Sequence, residues 1–231
     1  VKTCYTAIFG PYDDLKQPRK PSMVKGWKMV CFTNQNFDLP KGNVWEIRRV
    51  PYADDPVKAA RWFKINFHHC IDTKYSLWID GTFIINVELD AWWSRFRAPF
   101  TTIKHPFQNC IYKEIRACLE AEKGCPDELQ SQFARYRAEK VPENSGLIAS
   151  GILMRENRKE VIDLCETWWK EVENYSTRDQ VAFGYAQFKH PGVHHSIEWD
   201  YTTQTEFFHI PHLGKKSRSR RLKEFYALNS K

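Results

Sequence analysis

The sequence predicts a single α/β domain: a mostly parallel, Rossmann-like central sheet flanked by helices. Three observations carry that expectation. Runs rich in β-branched and aromatic residues alternate with stretches of helical apolar spacing through the first half of the chain. The run Tyr75–Ile79 lacks an apolar–polar alternation, which suits a central strand buried on both faces. Strand-like runs separated by helices imply parallel pairing, because each crossover returns the chain to the same end of the sheet.

The elements follow in order. Residues 4–9 (C-Y-T-A-I-F) read as a strand broken by Gly10-Pro11. Trp27–Thr33 is a second strand, closed by Asn34-Gln35-Asn36, and 44–50 a shorter third. Asp55-Pro56 supplies a cap and a first-turn proline for a helix expected to run to about His69, with Ala59, Trp62, Phe63 and Phe67 at roughly helical spacing. Tyr75–Ile79 ends at Asp80-Gly81, and Phe83–Ile85 is another apolar run. The second half reads as helices over 110–123 and 127–139, a strand over 147–154 containing Gly151, and an amphipathic helix over 160–175. Ser176 or Thr177 is placed to cap a further helix through Phe188. Beyond it the chain reads as irregular until a final basic helix from about Ser219.

At 231 residues the chain sits at the upper edge of one ordinary domain. Its 42% apolar and 27% charged residues argue against disorder, and no run approaches the ~18 apolar residues of a membrane span. The start of the chain reads as a strand without the basic-then-apolar order of a signal peptide, so a cytoplasmic protein is the expectation. Seven cysteines without a C-x-x-C pair are expected to be buried, reduced thiols. The net charge of +7 is uneven: Lys215, Lys216, Arg218, Arg220, Arg221 and Lys223 crowd one stretch. Such a cluster suits phosphate on a nucleotide, a nucleic acid or an anionic membrane surface, or is simply a solvated tail.

In parallel sheets ligands bind beyond the carboxyl ends of the strands, which directs attention to Gly10, Asn34 and Asp80. In W-I-D-G-T, Asp80 ends a buried strand beside glycine. It is either a turn carboxylate or a ligand for magnesium or manganese shared with substrate phosphate. Arg61 and Lys64, three apart on the preceding helix, either embrace a phosphate and orient Asp80 or form a solvated face. Asp179, at a helix start in T-R-D-Q, either orients or deprotonates an acceptor hydroxyl or interacts with the helix dipole. His194-His195 and the histidines of 209–212, followed by Lys215 and Lys216, either complete a metal and diphosphate site or are ordinary surface residues.

Six segments in order resemble one family: Y-T-A-I-F-G-P-Y-D-D-L-K at 5–16, C-F-T-N at 31–34, R-W-F-K-I-N at 61–66, Y-S-L-W-I-D-G at 75–81, H-P-F-Q-N-C-I-Y-K-E at 105–114 and S-T-R-D-Q-V-A-F at 176–183. Together they resemble the glycosyltransferase-like domain of the plant mucilage-related TOD/MUCI type, which also has short bacterial and phage members. The resemblance spans roughly residues 3–190. It implies a GT-A fold near the retaining family-eight transferases, a nucleotide-sugar donor (a UDP-sugar above all) and Mn2+ or Mg2+. It implies that Tyr5, Thr6, Ala7 and Asn34 border the base and ribose, and that Arg61, Lys64 and Asp80 face diphosphate and metal. It places His105, Glu114, Arg178, Asp179 and Gln180 on the sugar or acceptor side. The stretch 212–216 is similar to a compressed H-x-x-G-x-x-K, with His212 on the metal and Lys215 on the diphosphate. The chain departs from the family-eight pattern at Asp80-Gly81-Thr82, where the usual D-x-D has lost one carboxylate.

The expected organisation is one domain with a nucleotide-sugar-binding half (1–90), an acceptor half (91–212) and a basic tail (213–231). The expected function is hexosyl or pentosyl transfer to a glycan or glycolipid hydroxyl, as in polysaccharide biosynthesis. Two further readings stand beside it: a phage-type transferase acting on DNA bases, suggested by the basic charge, and a non-catalytic carbohydrate- or nucleic-acid-binding module, suggested by the incomplete D-x-D.

Overall fold

The computed structural model describes residues 1–11, 13–50, 54–199 and 204–210. Seven strands form the central sheet: β1 (Lys2–Ile8), β2 (Trp27–Thr33), β3 (Glu46–Arg49), β4 (Tyr75–Ile79), β6 (Phe100–Lys104), β7 (Ile148–Glu156) and β8 (His194–Ile197), in the order β3-β2-β1-β4-β7-β6-β8. Pairs β3/β2, β2/β1, β1/β4 and β6/β8 are parallel, whereas β7 runs antiparallel to both β4 and β6. The sheet is therefore mixed, with β7, next to the central β4, reversed. Strands β5 (Phe83–Ile85) and β9 (Phe207–His209) make a separate antiparallel ribbon.

Alternation along β1 divides the core. Tyr5 and Ala7 face one cluster with Trp78, Leu153, Trp168 and Phe183, while Cys4 and Ile8 face another with Leu77, Trp92, Ile152 and Phe207. Helices α1 (Pro56–Ile65), α5 (Lys159–Asn174) and α6 (Asp179–Lys189) supply side chains to the first cluster. The second is covered by the short α2 (Leu89–Trp93), the β5/β9 ribbon and Trp199. Helices α3 (Ile111–Glu120) and α4 (Pro126–Ala138) build a third cluster that shares Val181 and Tyr185 of α6.

Strands β2, β4 and β5 fall where the sequence predicts them, and the other boundaries expected for β1, β3, β7 and α3 to α5 shift by a few residues. Three expectations differ more. Helix α1 stops at Ile65 because Asn66 leaves helical geometry (φ −87°, ψ 46°), and 67–69 form a 3-10 turn. Helix α6 begins at Asp179 without a side-chain cap, with Arg178 rather than Ser176 or Thr177 in the capping position: Ser176 is buried and donates its hydroxyl to Gln132 instead (2.7 Å). The region expected to be irregular contains β8 and β9, each stabilised by pairing with a strand remote in sequence. The basic helix expected from Ser219 lies outside the described residues.

Among the described residues no helix is long and apolar enough to cross a membrane. All seven cysteines are free; Cys125 is exposed, Cys70 is half-buried and the other five are buried.

Candidate functional site

The carboxyl ends of β1, β2, β4 and β6 lie on the same edge as the amino end of the reversed β7. This reversal brings Ser150 beside the end of β4, where Asp80 N donates to Gly151 O at 2.8 Å. The approach requires glycine: a Cβ at Gly151 would come within 2.7 Å of the Phe83 ring.

Lys64, from the last turn of α1, is fully buried at the centre of this edge. Its ammonium donates to Asp80 Oδ1 at 3.2 Å and to Ser150 Oγ at 3.1 Å, and pairs with Asp179 Oδ2 at 2.8 Å. Arg61, one turn earlier, lies 3.5 Å from the same Asp179 oxygen, which also accepts from Ser150 Oγ at 2.8 Å. Trp78 Nε1 donates to Asp80 Oδ1 at 2.7 Å, so that oxygen is fixed from two sides. Burial alone would raise the Asp179 pKa, but the charges of Arg61 and Lys64 hold it well below the usual carboxylate range. Asp179 also occupies the first turn of α6, where the helix dipole favours an anion.

A second group adjoins the first through the Arg178–Asp179 step. Arg178 donates to Cys118 Sγ (3.2 Å), Gln180 Oε1 (3.2 Å) and the fully buried Glu114 (3.5 Å). Gln180 Nε2 donates to Ile148 O at 2.9 Å, tying the start of α6 to the start of β7. His105, just past β6, accepts at Nδ1 from the backbone N–H groups of Phe107 and Gln108, and burial lowers its pKa. These five groups consequently share one end of the sheet.

The residues expected near the base and ribose fall differently. Asn34 sits past β2 and accepts from Gly10 N at 3.4 Å, linking two strand ends. Thr6 and Ala7 are buried within β1. Tyr5 is fully buried with its ring edge-on to Trp78, so it presents no surface to a ligand; its hydroxyl is engaged with Arg155 and Lys64 O. His212 and Lys215 lie outside the described residues.

Sequence reasoning missed Ser150 and Arg155. The signal for Ser150 was a lone hydroxyl beside Gly151 in an otherwise apolar strand. For Arg155 it was a cation following Met154, where the expected strand had been ended.

Among the described residues no three His, Cys, Asp or Glu side chains cluster as a metal cage. A cation that arrives with a diphosphate needs less, because it takes most of its shell from phosphate and water and one or two carboxylates from the protein. Asp80 suits that arrangement: its side chain is 32% exposed, and the two N–H donors at Oδ1 set its orientation. A groove of about 330 Å3 bordered by Arg95, Arg97, Trp199 and Gln204 shares no residue with this cluster. The charged strand ends, rather than that groove, therefore carry the candidate chemistry.

The model of the TOD1/MUCI70 glycosyltransferase-like domain matches residues 41–208. A relative from Arabidopsis thaliana, described as the probable hexosyltransferase MUCI70, is 24% identical over an alignment 214 positions long that covers 77% of this chain. The match covers 36% of that relative, so the chain spans about a third of its length. Among solved structures, apo mouse xyloside xylosyltransferase 1 has a TM-score of 0.51 at 8% identity, with 85% of each chain covered. At that identity the likeness shows the fold alone.

Proposed function

The chain belongs to the TOD1/MUCI70 glycosyltransferase-like domain family, and from that premise we propose that it transfers a hexosyl or pentosyl group from a UDP-sugar to a hydroxyl of a glycan or glycolipid. The observation that carries this reading is the convergence of Lys64, Arg61, Asp80 and Asp179 at the carboxyl ends of parallel strands. Residues 1–90 are assigned the donor side and 91–212 the acceptor side, and the salt bridges from Lys64 and Arg61 to Asp179 join them.

In sugar transfer the bond from the anomeric carbon to the β-phosphate oxygen breaks, and negative charge accumulates on the departing diphosphate. Groups fixed beforehand to face that charge lower the barrier. Arg61, its side chain 22% exposed, fills this role at the surface of the cluster, and the buried Lys64 adds its charge from behind through the Asp179 carboxylate that both share. Among the described residues Arg61 Nε is buried without a hydrogen-bond partner. The described cluster balances three cations (Arg61, Lys64, Arg178) against three carboxylates (Asp80, Glu114, Asp179), so a bound diphosphate brings charge in excess. Mn2+ or Mg2+ held by Asp80 would offset that excess as a Lewis acid.

Asp179 is poorly suited to act as a general base, since its carboxyl is held far below the pH at which it would accept a proton. Its suited role is to fix Lys64 and accept a hydrogen bond from a sugar hydroxyl. Arg178 and Gln180, bonded to each other at 3.2 Å, extend the same surface towards the sugar or acceptor. Glu114 and His105 hold Arg178 and the 105–108 turn in place.

The test is a thermal-shift series with nucleoside diphosphates and nucleotide sugars, with and without manganese. A ligand that binds only the native state raises Tm by mass action. The reading expects a manganese-dependent shift with UDP or a UDP-sugar. A cooperatively melting protein that responds to no nucleotide is instead a binding module.

A further inference from the structure

We infer that Arg155 and Tyr5 form a positioning pair that sets Lys64 in the site from its backbone side. Helix α1 ends at Ile65, and the last carbonyls of a helix lack intrahelical partners and carry partial negative charge. Arg155, on β7, donates from Nη1 to Lys64 O at 2.7 Å and to Ile65 O at 3.4 Å. Its Nη2 donates to Tyr5 Oη, and Tyr5 Oη donates in turn to Lys64 O at 3.3 Å.

Arg155 is fully buried, its guanidinium 4.3 Å from the Phe67 ring centre. Among the described residues no carboxylate forms an ion pair with it. A buried cation without compensation is costly, and a methionine or leucine would fill the same space without that cost. The compensation present is the end of α1. Lys64 is consequently held twice: its carbonyl by Arg155 and Tyr5, its ammonium by Asp80, Ser150 and Asp179. Strands β1 and β7 thereby fix the end of a helix that passes at Asn66 into a 3-10 turn. The sealed Tyr5 acts on the site through Lys64, without touching a ligand.

The consequence for turnover rests on the reading that Lys64 supports a diphosphate site, so the experiment separates the two. Proton exchange of lysine ammonium groups is followed by 1H–15N NMR on the full chain without ligand, with the Lys64 signal assigned by its loss in Lys64→Met. A sealed ammonium with three partners is expected to give a protected signal. In Tyr5→Phe, which removes one hydroxyl, and in Arg155→Lys, which cannot bridge the same acceptors, exchange at Lys64 is expected to speed about fivefold or more. The Trp199 indole N–H, bonded to Glu206, is expected to stay unchanged as the control for folding. If Arg155→Lys does not fold, Tyr5→Phe alone decides. Unchanged exchange at Lys64 in folded Tyr5→Phe overturns the inference, as does a wild-type chain with no protected Lys64 signal. UDP with manganese is then added to the wild type. A Lys64 signal that responds to Tyr5→Phe but not to UDP keeps the positioning pair and removes the nucleotide reading; the opposite pattern does the reverse.

Discussion

Lys64 Nζ lies 2.8 Å from Asp179 Oδ2, and neither side chain has more than 2% of its surface exposed. An ion pair this deep is sensitive to the loss of one member. Asp179→Asn keeps the volume but leaves the ammonium and Arg61 with less opposing charge, while Asp80 still compensates in part. The expected cost is about 3 kcal/mol, the low end for breaking a buried pair, measured by urea denaturation at pH 7. The same carboxylate sets an acid limb. Its pKa is depressed on folding, so its contribution is full above the unfolded value near 4 and disappears as pH falls below it. Asp179→Asn is expected to flatten stability against pH below about 4. A variant with the wild-type acid limb would show that Asp179 is not held by these charges.

Much of this relationship was legible in the sequence. Trp27–Thr33, Tyr75–Ile79 and the Asp55-Pro56 helix start are local signals, carried by β-branched runs and a capping residue, and they place Lys64 and Asp80 at neighbouring ends. Asp55 does cap α1, accepting from Val57 N and Lys58 N at 2.9 Å each. What was not legible depends on long-range pairing. The reversal of β7 brings Ser150 and Arg155 into play, and nothing in I-A-S-G-I-L-M-R-E specifies its direction. Strand β8 exists because it lies along β6, with partners 94 residues apart in sequence, Phe100 opposite His194 and Ile103 opposite Ile197. Tyr5 looked like a ligand contact because it occurs in a motif; the alternation of β1 instead turns it into the core.

Asp80 offers a different test, because its side chain is one-third exposed and its bonds to Trp78 and Lys64 survive conversion to an amide. Asp80→Asn is expected to melt within a few degrees of wild type while losing manganese-dependent affinity for UDP. Turnover with the matching UDP-sugar is expected to fall by roughly 10²-fold or more, the scale seen when a fixed electrostatic group is removed. Titration of UDP with and without manganese checks it. Unchanged manganese-dependent affinity would remove Asp80 from the site.

His194 predicts a second pH effect, away from the cluster. Its Nε2 lies 2.6 Å from Thr102 Oγ1, and burial, with the neighbouring His195, pushes its pKa down to about 3. A histidine kept neutral in the fold stays neutral while the unfolded chain protonates near pH 6.5. Between about 6.5 and 3 the unfolded state therefore binds the extra proton, and stability falls as pH falls. Melting curves from pH 7 to 4 are expected to show this slope, and His194→Gln, which cannot titrate, is expected to reduce it. Equal slopes in the two proteins would mean that His194 is accessible to protons in the fold.

Packing behind the site gives the last prediction. Gly184 of α6 faces Ile111 of α3 so closely that an added Cβ would overlap Ile111 Cγ2. Gly184→Ala should otherwise favour a helix, since alanine is the better helix former by about 1 kcal/mol. The overlap reverses the sign: overpacking a rigid core costs about 1–3 kcal/mol, and with that helix gain offset, Tm is expected to drop by a few degrees in a chain of this length. Replacing Ile111 by leucine removes the branch at Cβ while keeping the volume, so Gly184→Ala/Ile111→Leu is expected to recover most of the loss. A non-additive cycle of this kind is the mark of direct contact. Because α6 starts at Asp179, the single Gly184→Ala variant is also expected to disturb Lys64, and the compensated pair to restore it. If Gly184→Ala raised Tm, the α3/α6 contact would have room that this packing does not contain.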